Sequence, residues 1–418
     1  MISGRCVYNF GSLQIDMIAQ TLRQIREYGG SMLVASTGLG KTVVAVHVGL
    51  HLRDEDEIDN VLVIGPKAVR RMWERELLAA SLPHRYFTRH ALDQKSSAQN
   101  HSLEDFEEIA KRIQEQRWLL IIDESHEFRN RYVDRVLNRK PQQIERQAFK
   151  RLREIVQKGT TKVLLLTGSP YAKEIKNINN QLFLLHHTAQ NRALFEEPIY
   201  AERSWKVDSV NDFINLPVAS QLTTPHVARY YGQPDGEEIY INFGQERRYI
   251  PKIRLYSTDF RLPLESELTR AIVNGYFNLN SRILEKLKSR KEKAIVFCER
   301  RATVVYLAKG LNELMPSLRV VGTIAEIEPN NYQMKETKEI EKLIAQFAPI
   351  ANEAEGKYEE DYDVFISTDA HGVGVNMQDA SVVINYDIDW TPIGPIQRAG
   401  RILRFWQSPR TVDLYLTG

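Results

Sequence analysis

Four short aliphatic runs punctuate the first 190 residues: Met32-Leu33-Val34-Ala35, Val61-Leu62-Val63-Ile64, Leu119-Leu120-Ile121-Ile122 and Val163-Leu164-Leu165-Leu166. Each is apolar at every position and too short to be a core helix. A strand with one solvated face alternates apolar and polar residues. Unbroken runs need cover on both faces, which implies a parallel sheet sandwiched between helices. The stretches between the runs supply those helices. In residues 102–116, Ser102 can cap, and Leu103, Phe106, Ile109 and Ile113 fall on one stripe. Strand–helix alternation of this kind predicts a doubly wound α/β domain.

A second set of runs follows at Ala294-Ile295-Val296-Phe297, Val364-Phe365-Ile366 and Val382-Val383-Ile384, with residues 412–416 as a further candidate strand. Between the sets, residues 191–261 have poor periodicity and frequent aromatic, Pro and Gly residues, as in Tyr230-Tyr231-Gly232-Gln233-Pro234-Asp235-Gly236. Asp235-Gly236 there reads as a turn feeding a strand. The expected organisation is an N-terminal lobe over residues 1–190, an insertion or linker over 191–261, and a C-terminal lobe over 262–418.

Composition narrows the class. Two cysteines, Cys6 and Cys298, exclude a disulfide scaffold and a four-thiolate zinc site. No apolar run approaches the ~18 residues that span a bilayer, and the first residues lack the apolar stretch of a signal peptide. The expectation is a cytoplasmic protein with no membrane partner. Net charge is +2, yet residues 139–153 and 282–293 are locally basic. Such runs suit solvated helix faces or a surface that tracks phosphates.

The chemistry concentrates at strand ends. Ser36-Thr37-Gly38-Leu39-Gly40-Lys41-Thr42 lies between a predicted strand and a predicted helix. Gly38 and Gly40 let the backbone wrap a phosphate, and the helix N-terminus favours negative charge. Lys41 would reach the β- and γ-phosphates of ATP, and the Thr42 hydroxyl would ligate Mg²⁺. Ala35 stands where the strict phosphate-loop pattern has its first Gly. Asp123-Glu124-Ser125-His126 ends a predicted strand, where Asp123 would organise the metal and Glu124 would polarise the attacking water.

These residues resemble superfamily-two helicases and translocases, and further landmarks follow in that family's order. Gln14 stands where the family places an adenine-reading Gln. Residues 61–67, with Trp73 and Glu76, look like the SWI/SNF-type form of the next motif. Leu166-Thr167-Gly168-Ser169-Pro170 is similar to the coupling motif L-T-G-T-P. Ser367-Thr368-Asp369-Ala370-His371-Gly372-Val373-Gly374-Val375-Asn376 is similar to S-T-x-A-G-G-x-G-L-N. Asn385-Tyr386-Asp387-Ile388-Asp389-Trp390-Thr391-Pro392 comes close to Y-D-x-x-W-N-P, and Gln397-Arg398-Ala399-Gly400-Arg401-Ile402-Leu403-Arg404 to Q-R-x-G-R-x-x-R. His371 replaces a Gly, Thr391 replaces Asn, and Ser36-Thr37 replaces the acidic pair of many remodellers. These departures point to a bacterial, archaeal or phage branch.

The resemblance implies two RecA-like doubly wound parallel-sheet lobes in tandem, with ATP hydrolysed between them. It places Gln14, Gly38, Gly40, Lys41, Thr42 and Gly374 at the nucleotide, and Thr42 and Asp123 at Mg²⁺. Lys41, Asp123, Glu124, Arg401 and Arg404 carry catalysis. Lys67, Ser169 and Thr368 contact the nucleic-acid backbone, and His126, Thr167 and Gln397 couple the two events. Double-stranded DNA translocation is the leading expectation, with duplex DNA as partner. Strand-separating DNA or RNA helicase and ATP-gated binding module are the alternatives. The last predicted strand ends close to Gly418, so the expectation is either a separate effector subunit, as in restriction and phage-defence systems, or a chain that is itself a fragment. His47 and His51 have the i, i+4 spacing of metal ligands but no evident third ligand, so packing or surface roles are expected.

Overall fold

The computed structural model describes residues 10–93, 101–112, 115–137, 140–158, 161–170, 174–175, 177–185, 205–258, 292–358, 361–368, 376–387 and 393–417. The chain divides into two compact units. The first comprises Met1–Pro234 with Tyr240–Arg247, and the second Asp235–Ile239 with Arg248–Gly418.

Helix α1, Ser12–Tyr28, opens the first unit and stops at Gly29, whose left-handed φ of 76° lets its N–H reach back to the Ile25 carbonyl. Strand β1 (Gly30–Ala35), helix α2 (Lys41–Asp54), β2 (Asn60–Ile64), helix α3 (Arg70–Ala79), β3 (His84–Phe87) and β4 (Trp118–Ile122) follow. A hairpin of β5 (Tyr132–Leu137) and β6 (Lys140–Glu145) comes next, then β7 (Lys162–Thr167) and β8 (Ala219–Leu222). The sheet runs β3-β2-β4-β7-β1-β8, and every ladder in it is parallel. All four aliphatic runs are strands of this sheet.

Both faces are covered, as unbroken apolar runs require. Met32, Leu62, Ile64, Leu120, Ile122, Val163 and Leu165 pack into one core with Phe106, Phe149 and Leu152. The intervening Leu33, Val61, Val63, Leu119, Ile121, Leu164 and Leu166 are equally buried and point the other way. Each such side chain contributes about 1.5–3 kcal/mol on burial. The helix expected over residues 102–116 forms at His101–Arg112, with Phe106 and Ile109 buried.

Strands β9 (Gln233–Asp235), β10 (Glu238–Phe243) and β11 (Glu246–Tyr249) form a separate three-stranded sheet. Gly236 takes a φ of 62° at the expected turn. The second unit holds β12 (Lys252–Thr258), β13 (Ala294–Cys298), β14 (Val320–Gly322), a hairpin of β15 (Ile324–Glu328) and β16 (Asn331–Met334), then β17 (Val364–Thr368), β18 (Val382–Asn385) and β19 (Thr411–Thr417). Its main sheet, β12-β19-β18-β13-β17-β14, is again wholly parallel. Along β13 the side chains alternate between two cores: Ala294, Val296 and Cys298 enter one, Ile295 and Phe297 the other.

Residues 191–261 supply an edge strand to each sheet, β8 to the first and β12 to the second. An edge strand needs a ladder on one side only. It therefore tolerates residues such as Ser220, Gln221, Arg254 and Ser257, which hide it from a search for aliphatic runs. Among the described residues no helix is long and apolar enough to cross a membrane.

The start of β1 is tightly filled. A Cβ at Gly30 would lie 2.9 Å from Leu185 Cδ2 and 3.0 Å from the Val163 carbonyl oxygen. Gly30→Ala should therefore cost about 1–3 kcal/mol in urea unfolding. An unchanged midpoint would show that β1 and β7 can part at no cost.

Candidate active site

The order of the first sheet decides what meets at its carboxyl edge. Strand β7 lies between β1 and β4, with Val34 opposite Thr167 and Ile122 opposite Leu165. The loops leaving β1, β7 and β4 consequently emerge side by side. These loops hold Ser36 to Gly40, Gly168-Ser169-Pro170, and Asp123-Glu124. Ligands of open α/β sheets bind outside such strand ends.

The loop after β1 is shaped by two glycines, Gly38 at φ 88° and Gly40 at φ 87°. Gly40 is also the N-cap of α2 and offers no side-chain cap to that helix, a terminus suited to an anion. Lys41 Nζ donates to the Ala35 carbonyl at 2.8 Å. A Cβ on Gly168 would lie 3.7 Å from that nitrogen and 3.5 Å from Thr37 Oγ1, so the ends of β1 and β7 close on each other. Thr42 follows Lys41 on the first turn of α2. Gln14 is buried on α1, accepting from the Gly11 N–H at 3.3 Å. Its Nε2 would meet a Cβ on Gly40 at 2.5 Å, so Gln14 and the loop are in contact only because residue 40 has no side chain. The loop is held at its start by the Ser36 N–H bond to Leu222 O and by Ser36 Oγ, which accepts from the Thr224 N–H at 3.2 Å.

Asp123 follows β4. Its Oδ2 accepts from Trp73 Nε1 at 2.8 Å, and its Oδ1 from the Glu124 N–H at 3.0 Å. Desolvation, then the neighbouring Glu124 charge, push this carboxyl up to about 6, against the lowering effects of the Trp73 bond and the Lys41 charge. Glu124 sits at φ 52°, ψ 51°, a left-handed conformation that costs a non-glycine residue about 1–3 kcal/mol. His126 Nδ1 lies 3.2 Å from Glu124 Oε2 and 3.2 Å from Thr167 Oγ1. Thr167 Oγ1 in turn accepts from the Ser169 N–H at 3.1 Å. A polar chain thus runs from the acid pair to Ser169, whose own Oγ is buried without a hydrogen-bond partner among the described residues. Lys67 is exposed on the turn after β2, where Tyr86 OH donates to Pro66 O at 2.7 Å and fixes the loop.

A phosphate and a hard cation fit these residues. Two positive-φ glycines and a helix N-terminus without a side-chain cap suit phosphate oxygens. A desolvated carboxylate repelled by its neighbour suits a divalent ion with oxygen ligands.

In the second unit, helix Ile393–Ala399 carries a half-buried Gln397 and leads into Arg401 and Arg404. Arg401 is buried, and its carbonyl accepts from the Met377 N–H at 3.3 Å. The Arg404 guanidinium donates to Asn376 Oδ1, while its Nε has no partner among the described residues. Desolvation and the Arg401 charge lower Arg404 to about 10, which leaves it cationic at neutral pH. Among the described residues no carboxylate pairs with it. Arg410 braces the segment by donating to Ile402 O and Gln378 O while lying 4.8 Å over the Trp406 ring. Thr368 ends β17 and is buried. Gly374, His371 and residues 388–392 lie outside the described residues, as does much of the basic run at 282–293.

The structure therefore brings Gln14, Gly38, Gly40, Lys41, Thr42, Asp123, Glu124, His126, Thr167 and Ser169 to one edge of the first sheet, and Arg401 and Arg404 onto one segment of the second unit. The sequence marked Trp73 only as a motif residue; its bond to Asp123, and the roles of Ser36, Asn376 and Arg410, depend on contacts that no local pattern announces. His47 Nδ1 lies 2.9 Å from Val43 O, with Phe10 edge-on to the ring, and among the described residues no group of three or more His, Cys, Asp or Glu could hold a metal ion.

Comparison with known proteins adds two family models. "Type III restriction enzyme, res subunit" matches residues 8–172, and "Helicase conserved C-terminal domain" matches residues 277–405. The Bacillus subtilis (strain 168) protein named uncharacterized ATP-dependent helicase YqhH is 24% identical over 429 residues, covering 93% of this chain and 72% of that protein. The Drosophila melanogaster ATP-dependent helicase brm is 30% identical over 139 residues, 32% of this chain and 7% of that protein. A solved structure of the Sulfolobus solfataricus SWI2/SNF2 ATPase core in complex with dsDNA matches at a TM-score of 0.39 and 15% identity, covering 100% of this chain and 90% of that one.

The raised Asp123 carboxyl destabilises the folded state once ionised. The penalty is full above about pH 6 and shrinks toward about pH 4, because the folded state takes up the proton first. Asp123→Asn should therefore be more stable than the parent by about 1–3 kcal/mol at about pH 8 in urea unfolding, with the gap closing near pH 4. A constant gap at all pH would contradict the assignment. Trp73→Phe deletes a donor to the carboxylate, so the acid limb of kcat/KM against pH should move to higher pH; superimposable profiles would show that the indole does not act on Asp123.

Proposed function

We propose that the chain is an ATP-dependent motor of the superfamily-two helicase type, in line with the two family models that match it, and that it is a double-stranded DNA translocase whose two lobes close on ATP. The observation that carries the proposal is the polar chain from Glu124 through His126 and Thr167 to Ser169, which joins a candidate hydrolytic site to a candidate polymer contact.

In this reading Gly38, Gly40 and the first turn of α2 receive the phosphates, Gln14 meets the adenine, and Lys41 exchanges its bond to Ala35 O for the β- and γ-phosphates. Gly374 joins them at the nucleotide. Thr42 and Asp123 would hold Mg²⁺, which when bound neutralises charge on the β- and γ-phosphates. Glu124 orients a water toward the γ-phosphorus and accepts its proton as the P–O bond to ADP breaks. Arg401 and Arg404 supply positive charge to the transferring phosphoryl group, an effect worth about 10³–10⁵ in rate in related chemistry. Among the described residues no carboxylate pairs with the desolvated Arg404 guanidinium, which supports that role.

Lys67, Ser169 and Thr368 would grip the sugar–phosphate backbone, an interaction that positions a strand without reading bases. His126, Thr167 and Gln397 would relay the state of the γ-phosphate to that grip. Loss of the γ-phosphate removes the ligand that holds the lobes closed, and repeated closure and opening moves the polymer. The segment with Trp73 and Glu76 favours duplex DNA. The match of residues 8–172 to a restriction-enzyme subunit favours service as the motor of a restriction or defence system with a separate effector subunit.

ATP turnover measured with no polymer, duplex DNA, single-stranded DNA and RNA tests this directly. Duplex DNA should stimulate most, the stimulation should fall steeply with salt, and Lys41→Ala and Glu124→Gln should reduce turnover to background. Triplex displacement without duplex unwinding should accompany it. Unwinding activity would instead favour a strand-separating helicase, as the Gln397–Arg404 segment suggests, and equal rates under all four conditions would contradict a motor.

A further inference from the structure

Helix Asn177–Leu182 packs beside the polar chain and has no part in the mechanism described above. Three consecutive amides on it each hold backbone elsewhere. Asn179 brackets residue 207, accepting from the Val207 N–H at 2.7 Å and donating to Val207 O at 2.9 Å. Asn180 Nδ2 donates to Arg129 O at 2.6 Å, at the end of the turn that contains His126. Gln181 is fully buried and uses both ends of its amide. Its Oε1 accepts from Ser125 Oγ at 2.8 Å, and its Nε2 donates to Pro170 O at 2.5 Å.

Ser125 adjoins Glu124, and Pro170 adjoins Ser169. Gln181 therefore forms a second bridge between the loops after β4 and β7, beside the one made by His126 and Thr167. The two bridges differ in chemistry. An imidazole can change charge and tautomer, whereas an amide is neutral and has a fixed donor and a fixed acceptor end. Either loop moving alone would strand a buried Ser125 hydroxyl or a buried amide without a partner, so while Gln181 is bonded the loops move together.

We propose that Gln181 is a positioning residue that locks the loop of Glu124 to the loop of Ser169, so that polymer contact at Ser169 sets the geometry of the hydrolytic carboxylate. The inference rests on the translocase reading of those two loops and names the strut that transmits between them.

The test compares basal and duplex-DNA-stimulated ATP turnover of the full chain. Gln181→Met keeps the volume and removes both bonds. Its basal rate and KM for ATP should stay near those of the parent, while the factor of stimulation by DNA should fall by about 2- to 30-fold, the span of coupling energies carried by residues that contact neither ligand. Gln181→Glu keeps the acceptor for Ser125 but sets an oxygen against Pro170 O. It should lose stimulation at neutral pH and regain it, relative to the parent at the same pH, as acidification protonates the carboxyl and restores a donor. Undiminished stimulation in Gln181→Met overturns the proposal. So does an equal fall of basal and stimulated rates in both variants with no recovery of Gln181→Glu in acid, since that marks a packing residue. A parent enzyme that no polymer stimulates would instead remove the translocase reading, a result visible before any variant is made.

Discussion

Everything at the candidate site depends on one ladder arrangement: β7 hydrogen-bonds to β1 on one side and β4 on the other. Parallel neighbours lie about 4.8 Å apart, so three loops that are distant in sequence leave the sheet within roughly 10 Å of one another. Lys41, Asp123 and Thr167 meet for that reason. Aliphatic side chains buried on both faces hold the ladder, and the polar groups at its end inherit their positions from it.

Those polar groups are placed at a cost, and the costs share a direction. Asp123 is held where its ionised form is disfavoured, and Glu124 takes a strained backbone. Each is a defect for folding and, in the proposed reading, would be an asset for binding a phosphate with its metal. In the proposed reading a triphosphate would bring negative charge to Lys41, and a divalent ion would bring positive charge to Asp123. The structure stores local instability where a ligand of complementary charge can relieve it.

Much of this was legible in the sequence, for physical reasons. A strand buried on both faces must be apolar throughout, which makes β1, β2, β4, β7, β13, β17 and β18 visible as runs. Strand β8 is only four residues long and includes Ser220 and Gln221, strand β12 is exposed over residues 252–256, and the hairpin β15–β16 is largely half-buried or exposed, so none carries such a mark. At the site, glycines at φ near 88°, the Lys-Thr pair and the Asp-Glu pair are local patterns tied to a local chemistry. The partners are not local. Trp73 meets Asp123, Gln181 meets Ser125 and Pro170, and Arg410 meets Gln378 and Ile402 only after strands and helices have packed. A buried amide such as Gln181 looks in the sequence like any other polar residue on a short helix.

The most direct measurement is the crystal structure of the chain with a non-hydrolysable ATP analogue and Mg²⁺. In that complex the triphosphate should lie against Gly38, Gly40 and Lys41, the metal should be held by Thr42 and Asp123, and the Arg401 and Arg404 guanidinium groups should turn toward the γ-phosphate. A nucleotide bound elsewhere, or one whose γ-phosphate lies out of reach of both arginines in the closed state, would contradict the proposed mechanism.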